Sequence, residues 1–553
     1  MINEDSPYLV TRLKPIYMLP KQVTQTAFSQ LVSRILHHRY MYILDVVPQT
    51  FVNCYRLEPR IKAFEHVHFP SSKEELNQGL RVFKYEEALR YCLSTSVLKR
   101  TRKTIKKLTN DKIDNLKIKE FIQTLPFKLT YDQRYALKEI VDDMNKSEIM
   151  YRLLQGDVGT GKTIVAILSL YANYLRGGQG VLLAPTQILA SQHFSSALKT
   201  FANTNINIAL FTGKLKISEK KKILKGIQSG EINIIIGTHS LLSENIKYAN
   251  LNLAIIDEQQ NFGVEQRNAI INKGINTDLL MMSATPIPRT LSKVMNSDLD
   301  VSTLHEFPSR NGVVSERKVT TRVVQSNDPT IHKAIKHALE IERQVFIVAP
   351  KIVEGNSGKK IAVETIYSKM VSEYGEDNVA LLHGRMKEEE RNEIYSDFKS
   401  GKKLILVATS IIEVGIDIQS ACLMIIYSAS CFGLSSLHQL RGRIGRNGER
   451  ALALLVHDDD EDSDGYEALK YLADHDDGFL IASFDLKNRG AGSLTGTNQS
   501  GESELQVANF VTDGAIFERA LKDSEYILDH LEVPEFRLYY GDILKKISDY
   551  HID

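Results

Sequence analysis

The chain of 553 residues carries 69 Lys and Arg against 68 Asp and Glu, a net charge of +1, with 43% apolar residues. That is ample for several packed cores, and too balanced for a surface that is basic throughout, so any track for a polyanion must be local. Its four cysteines, Cys54, Cys92, Cys422 and Cys431, never form a C-x-x-C pair, which excludes a structural zinc site, argues against a disulfide framework and fits a reduced, cytoplasmic setting. No apolar run approaches the ~20 residues of a bilayer crossing, and the N-terminal MINEDSPYL lacks the layout of a signal peptide, so neither membrane nor export is expected.

Residues 1–115 alternate apolar and charged groups at helical spacing, interrupted by Pro15, Pro20, Pro48 and Pro59, and predict a helical lead-in domain. It ends in a basic segment, Lys99, Arg100, Arg102, Lys103, Lys106 and Lys107, which is either a phosphate-facing track or a solvated helix face.

Residues 116–310 change to apolar strands alternating with amphipathic helices, the pattern of a parallel α/β sheet. Strands are expected at RLLQ, Gly180 to Pro185, Ile232 to Thr238, Leu251 to Glu258 and Leu279 to Thr285. The first runs into Gly156-Asp157-Val158-Gly159-Thr160-Gly161-Lys162-Thr163, which fills every position of G-x-x-x-x-G-K-[ST]. Its glycines let backbone N–H groups turn inward, and a helix opening at Lys162 adds the positive end of its dipole. Lys162 then reaches β- and γ-phosphates, and the Thr163 hydroxyl takes a place on Mg²⁺. Asp257 and Glu258 close the most apolar strand. Two adjacent acids there need a cation, so Asp257 suits Mg²⁺ and Glu258 suits polarising the attacking water.

A second α/β block, 311–462, has strands expected at Gln344 to Pro350, Val379 to Gly384, Lys403 to Thr409, Cys422 to Ser428 and Ala451 to His457, and no phosphate loop of its own. It carries Arg443 and Arg446, which share a face if that segment is helical and suit arginine fingers acting on a γ-phosphate held by the first block. An acidic run from Asp458 to Asp464 reads as a surface loop, and 463–553 as a small C-terminal domain.

Taken together, the motifs resemble those of superfamily 2 helicases and, among them, the RecG family of bacterial branched-DNA translocases. The resemblance runs from LKPIYMLP near the start to VANFVTDGAIFERA near the end. It implies two tandem RecA-like domains, with the helical lead-in before them and a translocation-motif domain after. LPFKLTYDQ is similar to the family's adenine-side motif, in which Gln133 reads the base. APTQILASQHF, FTG and GTHSLL are similar to DNA-facing motifs and bring in Pro185, Thr186, Thr212, Gly213, Thr238 and His239. IIDEQQNFGVEQR resembles the acidic box, and MSATPIPRTL the coupling motif with Ser283 and Thr285. In the second block HGRMKEEER, ATSIIEVGID and FGLSSLHQLRGRIGR supply Arg385 and Thr409, Asp417 toward the nucleotide, and Gln439. DGFLIASFDLKNRGAGSLTGTNQSG resembles the translocation motif, with Arg489 and Gln499 as coupling residues.

What this resemblance implies is an ATP-dependent, Mg²⁺-using motor acting as a monomer on double-stranded and branched DNA, forks and junctions, in recombination and repair, without zinc. Gln260, Asn261, Ser430, Cys431 and Asn498 depart from the family's usual residues. The family's wedge domain is expected to be missing ahead of LKPIY. The alternative is a drifted nucleic-acid-binding remnant with weak or uncoupled ATPase. A transcription-repair coupling factor would need long extra domains, and a primosomal helicase clustered zinc cysteines.

Overall fold

The computed structural model describes residues 13, 15–38, 43–104, 106–107, 112–213, 215–284, 299–310, 313–314, 319–350, 363–409, 418, 420–445, 450–458, 463–489, 505–510 and 512–549. The expected site residues Thr285, Asp417, Arg446 and Gln499, with the substituted Asn498, lie outside them, as does the side chain of Arg489. The described parts of residues 1–102 and 489–553 form one compact unit, and those of residues 103–288 and 299–488 a second.

The lead-in is helical: α1 (Gln25–His38), α2 (Gln49–Tyr55), α3 (Arg60–His68) and the long α4 (Lys73–Thr104). Along α4, Val82, Tyr85, Leu89, Cys92 and Leu93 are buried, a stripe at the spacing that makes one helical face a packing face. The next unit opens with α5 (Asn115–Gln123) and α6 (Tyr131–Met144). Thr130 caps α6 by accepting from Gln133 N–H while the Gln133 side chain accepts from Thr130 N–H, a reciprocal box that fixes where the helix starts.

There follow β1 (Tyr151–Gly156), α7 (Lys162–Leu175), β2 (Gln179–Leu183), α8 (Gln187–Thr200), β3 (Ile208–Phe211), α9 (Ile217–Ser229), β4 (Ile234–Gly237), β5 (Leu251–Ile256), α10 (Val264–Ile271), β6 (Asp278–Ser283) and β7 (Asp300–Leu304). The strands form one sheet in the order β3-β4-β2-β5-β6-β1-β7, parallel at every pairing. All strands therefore end on the same edge, where an open α/β sheet keeps its ligands. The five expected strands are present; the first runs one residue further than RLLQ, to Gly156, and the other four end one or two residues earlier than expected, because the residues that close them belong to the loops. The edge strands β3 and β7 were not expected. Each is only partly buried; β7 lacks the apolar run of an inner strand, while β3, Ile208–Phe211, is apolar throughout but only four residues long.

The first block is braced by a buried ionic cluster. Asp278, fully shielded, accepts from Lys107 Nζ (2.8 Å) and Arg176 Nη2 (2.9 Å) and from Met150 N–H (2.7 Å). Burial nonetheless raises its carboxyl above the usual range, against the pull of both cations. Lys107 thus belongs to the core rather than to a DNA-facing basic segment. In the other unit Arg100 pairs with Asp529 at 2.6 Å, so these two members of the segment are held by protein acids.

The second block contains a short antiparallel pair, β8 (Ser309–Arg310) and β9 (Val313–Val314), then β10 (Val319–Val324), α11 (Pro329–Glu340), β11 (Gln344–Val348), α12 (Val363–Tyr374), β12 (Val379–Leu382), α13 (Glu388–Lys399), β13 (Ile405–Ala408), β14 (Ala421–Ile426), α14 (Leu434–Arg441), β15 (Ala451–Val456), α15 (Asp464–Asp474) and α16 (Gly478–Arg489). Its main sheet runs β10-β15-β14-β11-β13-β12, again parallel. The unanticipated β10 is an edge strand whose exposed and buried residues alternate. The acidic run ends in the Ser463 cap of α15, whose hydroxyl accepts from Tyr466 N–H; residues 459–462 lie outside the described set.

The chain closes with α17 (Gly514–Asp529) and α18 (Pro534–Asp549), which belong to the same unit as the lead-in. Tyr55 and Tyr85 hydroxyls donate to Asp523 at 2.9 and 2.6 Å, and the Glu87 carboxylate accepts N–H groups of Gln506, Val507 and Ala508. No helix among the described residues is long and apolar enough to cross a membrane.

Candidate active site

The loop between β1 and α7 has the geometry that its glycines foretold. Gly159 and Gly161 take φ of +95° and +83°, a region that side chains with a Cβ avoid. Gly156 is needed for a different reason: a Cβ there would come within 2.8 Å of the Thr160 hydroxyl and 2.9 Å of the Leu304 carbonyl. Thr160 fastens the turn, its hydroxyl donating to the Asp157 carbonyl at 2.8 Å. Lys162 opens α7, and its ammonium lies over the loop, donating to the Gly156 and Asp157 carbonyls at 2.8 and 3.0 Å. Thr163 stands in the same first turn. Gln133 is buried against the loop, with its Nε2 donating to the Thr160 carbonyl at 2.8 Å.

Two strands away, beyond β6, β5 delivers Asp257 and Glu258, both buried. The two carboxylates are pushed apart. For Asp257, burial works upward but is outweighed by the bond from His193 Nε2 (2.7 Å), the Lys162 charge and the Glu258 N–H (3.0 Å), so its carboxyl sits below the usual range. For Glu258, burial first and the Asp257 charge second raise it, against Lys162, a bond from Gln260 Nε2 (2.9 Å) and Arg443. Adjacent acids driven in opposite directions suit one for holding a cation and the other for handling a proton. Lys162 is lowered, chiefly by burial and also by Arg443, against the pull of Glu258, Asp257 and Asp157.

Arg443 follows Gly442, which packs so close to the phosphate loop that a Cβ on it would stand 3.0 Å from Val158 Cβ, and its charge acts on both Lys162 and Glu258 of the first block. The segment is not helical there. α14 ends at Arg441, and Gly442 and Gly445, the latter with φ of +69°, carry the chain through a turn, so the helical condition for a shared face is not met at Arg443, which the turn carries; Arg446 lies outside the described residues.

The DNA-facing candidates fall at strand ends on this edge. Pro185 and Thr186 follow β2, and Thr186 caps α8. Thr212 and Gly213 follow β3, Thr238 and His239 follow β4, and Ser283 ends β6. His239 is exposed and stacks on Phe262, ring centres 4.6 Å apart. Thr409 follows β13, Gln439 is buried in α14, and Arg385 is exposed after β12.

Two histidines were not singled out from the sequence. His193 of α8 holds Asp257, and His438 of α14 donates from Nε2 to Asp157 Oδ1 at 2.7 Å. Both sit inside motifs quoted for the resemblance, APTQILASQHF and LHQLRGRIGR, which was the available signal. The expected nucleotide contact Asp157 therefore turns its carboxylate toward the second block. The bond from His438 Nε2, with the Val158 N–H and the Lys162 charge, holds it below the ordinary aspartate range despite burial.

Comparison with known families gives a match to DEAD/DEAH box helicases over residues 130–294, to the helicase conserved C-terminal domain over 332–448, and to the C-terminal part of domain 3 of ATP-dependent DNA helicase RecG over 475–552. The ATP-dependent DNA helicase RecG of Streptococcus pneumoniae is 38% identical over 545 residues, 97% of this chain and 79% of that protein. The chain belongs to the RecG family. This RecG-family chain is thereby an ATP-hydrolysing DNA helicase. The Bacillus subtilis RecG is 34% identical over 96% of the chain and 78% of that protein. A solved structure of RecG bound to a three-way DNA junction matches with a TM-score of 0.74 and 36% identity, covering 93% of this chain and 66% of that one. Both α/β blocks of the RecG-family chain are RecA-like helicase domains.

Proposed function

We propose that this helicase hydrolyses ATP in the cleft between its two RecA-like domains and uses the cycle to move on duplex DNA at branch points. The observation that carries the reading is the seating of the Arg443 turn of the second domain on the phosphate loop of the first, Gly442 packed against Val158 and His438 bonded to Asp157, with the Arg443 charge felt by Lys162 and Glu258. Glu258, with its raised carboxyl, accepts the proton of the attacking water, and Arg443 stabilises charge on the transferred phosphoryl group. Gln133, Gly156 to Thr163 and Asp417 hold the nucleotide, with Arg446 as a second finger.

Mg²⁺ fits the donors present: the Thr163 hydroxyl and the Asp257 carboxylate are hard oxygen ligands. Asp257 already accepts from His193 and from Glu258 N–H, which orients it to hold the ion's hydration shell. When bound, the ion neutralises charge on the β- and γ-phosphates.

Pro185, Thr186, Thr212, Gly213, Thr238, His239, Ser283, Thr285, Arg385, Thr409 and Gln439 contact DNA or relay its binding, and Arg489 and Gln499 couple closure to movement. The reading divides the chain into a lead-in (1–115), two motor domains (116–310 and 311–462) and a translocation domain (463–553), working as a cytoplasmic monomer without zinc. Branched DNA is the proposed substrate because the similar solved structure holds a three-way junction.

The test is steady-state ATP turnover with a three-way junction, a linear duplex and a single strand of matched length. The junction should stimulate most, and the effect should decline steeply with salt, since a motor grips phosphates rather than bases. Turnover indifferent to all three DNAs would overturn the reading.

A further inference from the structure

The bond between His438 and Asp157 is one link of a longer chain. Asp157 lies in the phosphate loop, and its Oδ1 accepts both His438 Nε2 (2.7 Å) and its neighbour's Val158 N–H (2.6 Å). On the other side of the ring, Arg441 Nη2 bonds to His438 Nδ1 at 2.8 Å. A guanidinium only donates, so Nδ1 is the acceptor and the imidazole proton sits on Nε2, aimed at Asp157. Arg441 reaches further. Its Nη1 donates to the Leu472 and His475 carbonyls at 3.0 and 2.9 Å and pairs with Asp476 at 3.0 Å. The histidine and arginine are both buried.

A third segment closes over the same bond. A Cβ on Gly478 would stand 2.8 Å from Asp157 Oδ2 and 2.9 Å from His438 Nε2. Gly478 begins α16, and its φ is not in the left-handed region, so what demands glycine is close approach and not backbone freedom. The phosphate loop, α14 and the start of α16 meet at one hydrogen bond.

We propose that His438 is a positioning residue that ties the phosphate loop to the 472–478 segment, so that domain closure is transmitted through Asp157, His438 and Arg441 to the element from which the C-terminal region starts. This rests on the proposed ATP-driven cycle and adds a route for it. The link forms only when α14 abuts the phosphate loop, which makes it a two-state contact: made in the closed arrangement, broken in the open one. His438 touches neither nucleotide nor DNA in this scheme. In the open arrangement of this scheme, Asp157 gives up its bond to His438.

The test uses the full chain with junction DNA, measuring ATP turnover against ATP concentration and base pairs moved per ATP by triplex displacement. His438→Ala and Gly478→Ala should each lower kcat by roughly tenfold to a hundredfold, the worth of a hydrogen bond to a charged group. The KM for ATP should stay within about threefold, because the contact adds to closure and not to nucleotide capture. Movement per ATP should drop as well. His438→Gln should recover most of kcat, since its amide N–H can reach Asp157. The double variant should be no worse than the poorer single one, as expected of two ends of one contact. Should Gly478→Ala fail to fold, the Ala and Gln variants at 438 still decide. Multiplying defects, a Gln variant no better than Ala, or wild-type kcat in His438→Ala would each overturn the link. Absence of DNA-stimulated turnover in the wild type would instead overturn the functional reading itself.

Discussion

The two motor domains contain the same turn. In the first, β5 passes through Asp257 to Glu258 at φ +51°, a 3₁₀ turn at Gln259–Asn261, the buried Phe262 and the Gly263 cap of α10. In the second, β14 passes through Tyr427 to Ser428 at φ +48°, a 3₁₀ turn at Ala429–Cys431, the buried Phe432 and the Gly433 cap of α14. Even the hydrogen bonds correspond: Asn261 N–H to the Glu258 carbonyl at 2.9 Å, and Cys431 N–H to the Ser428 carbonyl at 3.0 Å.

Two lessons come from the pair. The left-handed backbone at Glu258 belongs to the fold and is not strain reserved for catalysis, since Ser428 adopts it with no acid to place. And chemistry was added to the shared backbone by side chains alone. The first copy places two acids at the sheet edge, while the second uses its following helix to carry His438, Arg441 and, beyond its end, Arg443. One fold serves as the site and as the arm that completes it.

The comparison can be broken most decisively at the loop that only the first domain has. Lys162→Ala should abolish ATP turnover, because the loop then lacks the charge that meets the β- and γ-phosphates; detectable DNA-stimulated phosphate release from that variant would undo the assignment of the site. Next, Glu258→Gln should keep nucleotide binding and slow turnover about 10²–10⁴-fold, the usual worth of a positioned proton acceptor, measured by single-turnover hydrolysis alongside a nucleotide titration.

Asp278→Ala probes the cluster that braces only the first domain. It leaves Lys107 and Arg176 buried without their shared partner, and should cost about 3–5 kcal/mol in denaturant unfolding. The smallest effect belongs to the shared turn: Ser428→Gly should be stabilising by up to about 1 kcal/mol, because glycine accepts positive φ without the steric cost that serine bears. A destabilised Ser428→Gly would mean that the turn depends on the serine itself.

Much of this was legible in the sequence because the relevant signals are local. A glycine loop between an apolar strand and an apolar helix announces a phosphate site, and two acids directly after LNLAII demand a cation close by. What escaped depends on partners remote along the chain. His193 meets Asp257 64 residues away and His438 meets Asp157 281 residues away, and a lone histidine on a helix carries no mark of either. Lys107 read as part of a basic run because nothing in that run reveals Asp278. The edge strands β7 and β10 were missed for want of the continuous apolar character that burial on both faces imposes, and β3, though apolar, is only four residues long. At Arg443 the three-residue spacing to Arg446 suggests a helix where the structure has a turn: the glycines at 442 and 445 were the sign that the helix had stopped.

The central claim is that the second domain completes a site held by the first. Arg443→Ala tests it most directly, with ATP affinity and junction-stimulated turnover measured on the same preparation. The account predicts binding within a few-fold of the wild type and turnover reduced about 10³-fold or more, since an arginine finger acts on charge that develops during transfer. Lost binding with turnover intact at saturating ATP would contradict it.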